Sequence, residues 1–276
     1  MADVGMMNKL TVVREAEHGI YLSGDRHSDI LLPKLVVPEG CKIDDEIEVF
    51  VYRDSEDRII ATTLKPNAMV GDFACMKAVS VSKVGAFLDW GLQKDLLVPF
   101  KEQRHRMNTG QSYVVYVYLD EDTDRVVASS KLNKYLNLVP AEYEEGDEVD
   151  LLIFEKNDLG YQAIINFSHT GMIYENEVFQ SLQIGHKVKG YIKKIRSDGK
   201  IDLALQKTGY ENMGSSVDLV LNYLEENNGS MTITDKSQAE LIYATFGISK
   251  KNFKKAIGAL YKKKIITIGE GVIKLN

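Results

Sequence analysis

The chain has almost no cysteine: Cys41 and Cys75 stand alone among 276 residues. Two isolated thiols cannot build a disulfide framework, and neither belongs to the paired spacing of a zinc site. Long apolar runs are missing as well. No window approaches the ~18 residues of a membrane span, and Met1 to Lys9 carries no apolar stretch of signal-peptide length. A reducing, cytoplasmic setting without secretion or membrane insertion is therefore expected. The five histidines, His18, His27, His105, His169 and His186, are scattered, with neither ligand spacing nor a nucleophile partner. No glycine loop followed by lysine is present to cradle a phosphate. The acidic turn Asp120-Glu121-Asp122-Thr123-Asp124 begins like a calcium loop, but Arg125 stands where glycine is needed and Lys131 where the last glutamate is needed. No metal, cofactor or enzymatic centre is expected.

What the chain does have is a repeat. A glycine opens a short apolar strand, a Leu/Val/Ile triplet follows, then an alternating strand and an acidic turn closed by a basic residue. The openers are Gly19, Gly85 and Gly160, and the closers are Arg58, Arg125 and Lys200. The separations are 39, 40 and 40 residues, so insertions fall between units and one small module is present three times. The spacing divides the chain into residues 1–66, 67–140, 141–210 and a different segment, 211–276. Net charge is −6 overall, but the four segments carry −5, +1, −4 and +2. The second and fourth are the better electrostatic candidates for a polyanion.

Within each unit the alternation has period 2 and favours β-branched and aromatic residues, which indicates strands. Five are expected per copy: 10–14, 19–22, 30–32, 46–52 and 58–63; then 73–81, 85–88, 96–98, 111–119 and 125–129; then 148–154, 161–166, 171–174, 186–195 and 200–204. Five short strands in this length suit a closed barrel of the OB type. The opening glycine fits a strand that coils sharply at a point with no room for Cβ. Phe50, Tyr116 and Tyr191 recur at one outward place in the long strand, with Tyr52 and Tyr118 two residues on. They could stack on bases, but packing between barrels is the more economical reading.

The run Val70-Gly71-Asp72, Val84-Gly85-Ala86-Phe87-Leu88, Asp95-Leu96-Leu97-Val98, Gly110, Asp120 and Arg125 to Lys131 resembles the RNA-binding repeat of the ribosomal S-one family. That resemblance implies an OB-fold in which Phe87 stacks on a base and Asp120 and Arg125 help grip the strand. Tyr21, Asp54 and Arg58 take the same places in the first copy. The third copy departs, with Gln162, Arg196 and Lys200 at these positions. The family's second aromatic becomes His18, Val84 and Leu159, and its histidine after the third strand is absent, with Tyr174 nearby in copy three. Chemically, aromatics interleaved with cations suit single-stranded nucleic acid. The second copy adds Trp90 beside Phe87 and Arg104-His105-Arg106 in its long loop. The third adds Lys189, Tyr191, Lys193, Lys194 and Arg196 on one strand.

After Gln206-Lys207 the period changes to 3.6. Ser216 can cap a helix over 217–226, a second follows Asp235 with Ala239, Ile242 and Phe246 inward, and Ser249 can cap a third through Lys263. Two strands around Gly269-Glu270-Gly271 complete a winged helix-turn-helix. On the third helix Lys250, Lys251, Lys254, Lys255 and Lys262 share one flank, opposite Phe253, Ala256, Ile257 and Leu260. Such a flank suits phosphates, whereas base-reading side chains are few.

The tandem barrels, together with the segment from Ile233 through Phe246-Gly247-Ile248-Ser249 to Lys262, resemble the bacterial conserved virulence factor B family over nearly the whole length. The resemblance implies three S-one-type barrels, a winged helix, and RNA binding with effects on gene expression. The expectation is thus a mainly β chain with a C-terminal α+β domain that binds single-stranded RNA. A transcription regulator gripping duplex DNA through the winged helix, or an interaction scaffold without nucleic-acid affinity, are the other readings, and the winged helix could also take a protein partner.

Overall fold

In this computed structural model, residues 2–24, 28–178, 181–206 and 211–276 are described. His27 and the expected boundary near Lys207 lie outside them. The chain forms two compact units, residues 1–138 and 139–276.

The first unit holds two five-stranded modules. In the first, β1 (Met7–Ala16), β2 (Gly19–Leu22), β3 (Ile30–Pro33), β4 (Glu46–Arg53) and β5 (Ile59–Thr62) form a closed barrel in the order β1-β2-β3-β5-β4. A parallel pair, Leu31 with Ile60, joins β3 to β5. In the second, β6 (Phe73–Val81), β7 (Gly85–Leu88), β8 (Leu96–Pro99), β9 (Ser112–Asp120) and β10 (Arg125–Ser129) repeat the order. Here β8 and β10 form no ladder, and the seam is bridged through Glu102. The buried Glu102 accepts from Ser129 Oγ at 2.7 Å and from Lys134 Nζ at 2.9 Å, while its carbonyl takes the Ser130 amide at 3.0 Å.

The second unit begins with β11 (Glu148–Asn157), β12 (Gly160–Ile165), β13 (His169–Tyr174), β14 (Lys187–Ile195) and β15 (Ile201–Ala204), again a closed barrel with β13 and β15 parallel. The opening glycines have one geometric reason in all three copies. A Cβ on Gly19, Gly85 or Gly160 would lie 2.1, 2.2 or 2.1 Å from a carbonyl oxygen of the neighbouring strand, at Leu32, Val98 and Ile173. Alanine there would force β2 from β3, or its counterparts, apart. Each first strand also bulges at one place, between Val12 and Arg14, Ala78 and Ser80, and Ile153 and Glu155. An extra residue there increases local twist and helps each short sheet curl.

The winged helix follows: α1 (Glu211–Glu226), β16 (Ser230–Met231), α2 (Ala239–Phe246), α3 (Lys250–Lys262), β17 (Ile266–Ile268) and β18 (Ile273–Leu275). Ser249 caps α3 by accepting the Asn252 amide at 3.2 Å. Ser216 is not a cap. The helix runs back to Glu211, so Ser216 lies inside it, buried, its hydroxyl without a partner among the described residues. The wing is three-stranded, because β16 adds to β18. Phe253, Ala256, Ile257 and Leu260 of α3 pack on Val220, Leu224, Ile242 and Phe246, as the 3.6-residue period requires.

Candidate nucleic-acid interface

The position two residues after each opening glycine gives three different surfaces. In the first barrel Tyr21 pairs with Arg14 on β1, whose guanidinium lies 3.5 Å from the ring centroid and also meets Asp29 at 3.2 Å. One face of that ring is already covered by a cation. In the second module Phe87 sits half-buried between Ser80 on β6 and Leu97 on β8. Among the described residues no ring or cation stacks on it. In the third barrel Gln162 lies between Glu155 and Met172 and offers no π-face.

Trp90 does not extend the Phe87 surface. It is only 2% exposed, donates its indole N–H to the Ala68 carbonyl at 2.7 Å, and packs edge-on against Phe50 and Tyr52 at 5.4 and 6.2 Å. Phe50 is fully buried. The long-strand aromatics of the first barrel thus form a core shared with the second module, which is the packing reading. Tyr116 stacks instead on Tyr135 at 4.0 Å, and Tyr191 donates to Glu148 at 3.2 Å.

The acidic hairpins likewise do something other than grip a strand in isolation. Asp54 accepts the amides of Glu56 and Arg58 at 2.8 and 3.0 Å and the Arg58 guanidinium at 2.7 Å, so it shapes its own turn. Burial would raise its carboxyl pKa, but the Arg58 bonds and charge hold it below the usual range. Asp120 accepts from Thr123 Oγ1 at 2.7 Å. Arg125 turns away from it and forms a two-point ion pair with Asp57 of the first barrel. Its hydrogen bond holds the Asp57 carboxyl low. Arg53 reaches the Asp124 carbonyl at 3.1 Å, and Lys94 Nζ caps the Arg53 and Asp54 carbonyls at 2.8 Å each. The two hairpins are therefore tied to one another. Sequence spacing could not show this, since the paired residues lie 68 and 71 positions apart.

The loop after β8 supplies a surface that sequence reasoning named only in part. Arg106 lies exposed with its guanidinium 3.9 Å over the Phe100 ring, a cation–π pair at the surface. The Phe100 amide donates to the Val84 carbonyl at 3.2 Å, bringing Lys83 and Lys101 to the same end of the module as Arg106. Phe100, Lys83 and Lys101 were not among the expected residues. Their signal was an aromatic next to the proline that ends the third strand. Arg104 is exposed, and its amide donates to Ser130 Oγ at 2.9 Å.

In the third barrel most of the basic row is paired, Lys194 alone of the named residues being exposed without an ion pair among the described residues. Arg196 meets Asp202 at 3.0 Å and the Tyr174 hydroxyl, and both partners raise its pKa, the Asp202 hydrogen bond most. Lys193 pairs with Glu177, Lys200 with Asp198 at 3.2 Å, and Lys189 with Asp150 at 2.9 Å. The winged helix contrasts. Lys250 donates to the Ser237 carbonyl at 2.6 Å, but Lys251, Lys254, Lys255 and Lys262 are exposed and have no carboxylate partner among the described residues. No group of metal-ligating side chains occurs among the described residues, and no described helix is long and apolar enough to cross a membrane.

Comparison with known proteins agrees with this architecture. Residues 4–64 and 70–131 match the S1 domain family, and residues 218–275 match the CvfB-like winged helix domain. The chain is 27% identical to the uncharacterized protein YitL of Bacillus subtilis, over 94% of this chain and 89% of that one. It is 23% identical to conserved virulence factor B of Staphylococcus saprophyticus, over 99% and 94%. A crystal structure of a multidomain protein with nucleic acid binding domains from Streptococcus pneumoniae is 23% identical, covering 99% of this chain and 98% of its own, with a TM-score of 0.45.

Proposed function

We propose, for a chain that belongs to the conserved virulence factor B family, that it is a non-enzymatic nucleic-acid-binding protein whose main ligand is single-stranded RNA. Its role would lie in post-transcriptional control of gene expression. The observation that carries this reading is the second module. Phe87 is half-buried with no ring or cation stacked on it among the described residues, and the same module presents Arg106 over Phe100 with Lys83 and Lys101 close by. A base stacked on such a ring contributes about 1 to 3 kcal/mol whatever its identity, and flanking cations follow the phosphates. The Tyr21 and Arg14 pair offers a second platform, where a base would slide between ring and guanidinium or stack on the guanidinium itself.

Lys251, Lys254, Lys255 and Lys262 of α3, without a carboxylate partner among the described residues, favour a second contact. A helix carrying cations of one sign suits the phosphates of a nucleic acid, including a duplex major groove. A DNA-binding regulator is the reading that would use α3 alone. Fluorescence anisotropy with labelled single-stranded RNA, single-stranded DNA and duplex DNA, across a salt series, separates these possibilities. Tightest binding to RNA, weakening with salt, is the expected result. Preference for the duplex would move the function to the winged helix, and binding to none of them at low salt would sink both readings.

A further inference from the structure

Gly258 stands in the middle of α3, where a glycine weakens a helix relative to alanine. Neither a turn nor a close neighbour explains it. A Cβ built on Gly258 meets nothing within 4 Å, and its backbone is ordinary helix, with no positive φ. The residue is exposed. Its surroundings are unusual in one respect. At about 100° per residue, Lys251 and Lys262 lie within about 40° of Gly258 around the helix axis, and Lys254, Lys255 and Tyr261 within about 60°. Gly258 is thus the centre of the cationic face, with the apolar residues Phe253, Ala256 and Leu260 on the opposite side. The lysines flanking it have no carboxylate partner among the described residues, and Tyr261 is 55% exposed. Like charges at i, i+4 spacing, such as Lys251 with Lys255, also work against the helix. Two features that cost helix stability therefore coincide on one solvent-facing patch, and the folded chain alone gives no reason for either.

We infer that Gly258 is a close-approach point, at which the sugar–phosphate backbone of a nucleic acid strand rests against the main chain of α3. Lys251, Lys254, Lys255 and Lys262 hold the phosphates on either side, and the Tyr261 ring lies against the sugar or base beside the notch. The absence of Cβ lets the strand approach to a distance that alanine would forbid, and every lysine then reaches a phosphate directly. Contact of this kind reads the backbone rather than the bases, consistent with a face that holds no arginine, asparagine or glutamine apart from Asn252 at its edge. The inference rests on the nucleic-acid reading above and names the residue that sets how closely the ligand docks.

The test uses the full chain and the Gly258→Ala and Gly258→Leu variants, with a labelled oligouridylate and a labelled DNA duplex as probes. Both substitutions improve helix propensity, so thermal melting should stay level or rise. Affinity should fall about fivefold for Gly258→Ala and by more than tenfold for Gly258→Leu on the probe that the wild type binds more tightly. Stability and binding moving in opposite directions is what a docking notch requires and a structural glycine does not. Affinity unchanged in Gly258→Leu, with wild-type binding intact, would overturn the inference while leaving nucleic-acid binding in place. A wild-type chain that binds neither probe at low salt would overturn both. If Gly258→Leu lowers the melting temperature, Gly258→Ala alone decides, and equal affinity there also rejects the notch.

Discussion

The third barrel and the winged helix both carry a row of cations, and the sequence gives them nearly equal prominence. Their chemistry differs once the partners are known. On β14 and its neighbours three of the cations have an anion in reach: Lys189 has Asp150, Lys193 has Glu177, Arg196 has Asp202. These groups belong to a mixed surface whose net field is acidic. On α3 the lysines have no carboxylate partner among the described residues, and Lys250 at the N-terminus donates to the Ser237 carbonyl. Counting basic residues along a strand therefore overestimates its attraction for phosphate. What matters is the number of charges left after the acids across the ladder are subtracted.

The largest effect should come from reversing the unpaired face. Changing Lys251, Lys254 and Lys255 together to Glu is expected to weaken nucleic-acid binding about 100-fold at low salt and to reduce the slope of log K against log salt by roughly 2 to 3. The same three-charge reversal at Lys189, Lys193 and Arg196 should do far less. Equal losses would erase the distinction between the two regions. Next comes Phe87→Ala, expected to lower RNA affinity about tenfold with little change in salt slope, because stacking rather than charge is removed. Gln162→Ala, its counterpart in the third barrel, should be silent in the same anisotropy titration.

A smaller effect concerns stability. Burial alone would raise the Glu102 carboxyl pKa, but hydrogen bonds from Lys134 and Ser129 and the charges of Lys134 and Lys131 hold it below the usual range. A depressed carboxylate contributes stability above its unfolded pKa, and that contribution is lost as pH falls through the lower folded value. Lys134→Met should therefore cost about 1 kcal/mol at neutral pH, because the half-exposed ammonium is only partly shielded from water. The acid-side loss of stability should also begin at a higher pH, as urea unfolding at neutral and acid pH would show. The smallest change expected is from Glu177→Gln, which frees Lys193. RNA affinity should rise about twofold at low salt, with less than about 1 kcal/mol of stability lost. No gain in a folded variant would mean that pairing is not what silences the third barrel.

Much of the architecture was legible because period-2 and period-3.6 patterns are local. The strand limits in the second module nearly coincide with expectation, and Ser249 was readable as a cap because its amide partner is three residues away. Ser216 misled for the same local reason, since the helix was already under way when the sequence offered a good capping residue. The two-residue β16 carries no pattern of its own and exists only through β18. At the candidate interface, Phe87 and the α3 lysines were named from sequence. The sequence places Trp90 beside Phe87 as a stacking ring, although a lone tryptophan near a strand end suits a surface or a core equally. Its fate was decided by the Ala68 carbonyl, 22 residues away. Arg125 is expected beside Asp120 as a grip on the nucleic-acid strand, and the anion it meets sits on another copy of the module. Contacts between copies are invisible when copies are aligned.

That last contact alters how the first 138 residues should behave when cut. Phe50 is solvent-facing by the logic of a single barrel and interior by the logic of the pair, lying with Tyr52 against Trp90 and with Arg125 tied to Asp57 at the rim. A fragment ending at residue 66 would carry two large aromatic rings on its outside, a sticky face rather than a finished surface. The duplicated modules have become mutual chaperones of one another's seams. Their amides should accordingly exchange with deuterium as one cooperative block, at a common opening free energy, although the sequence announces two separate repeats.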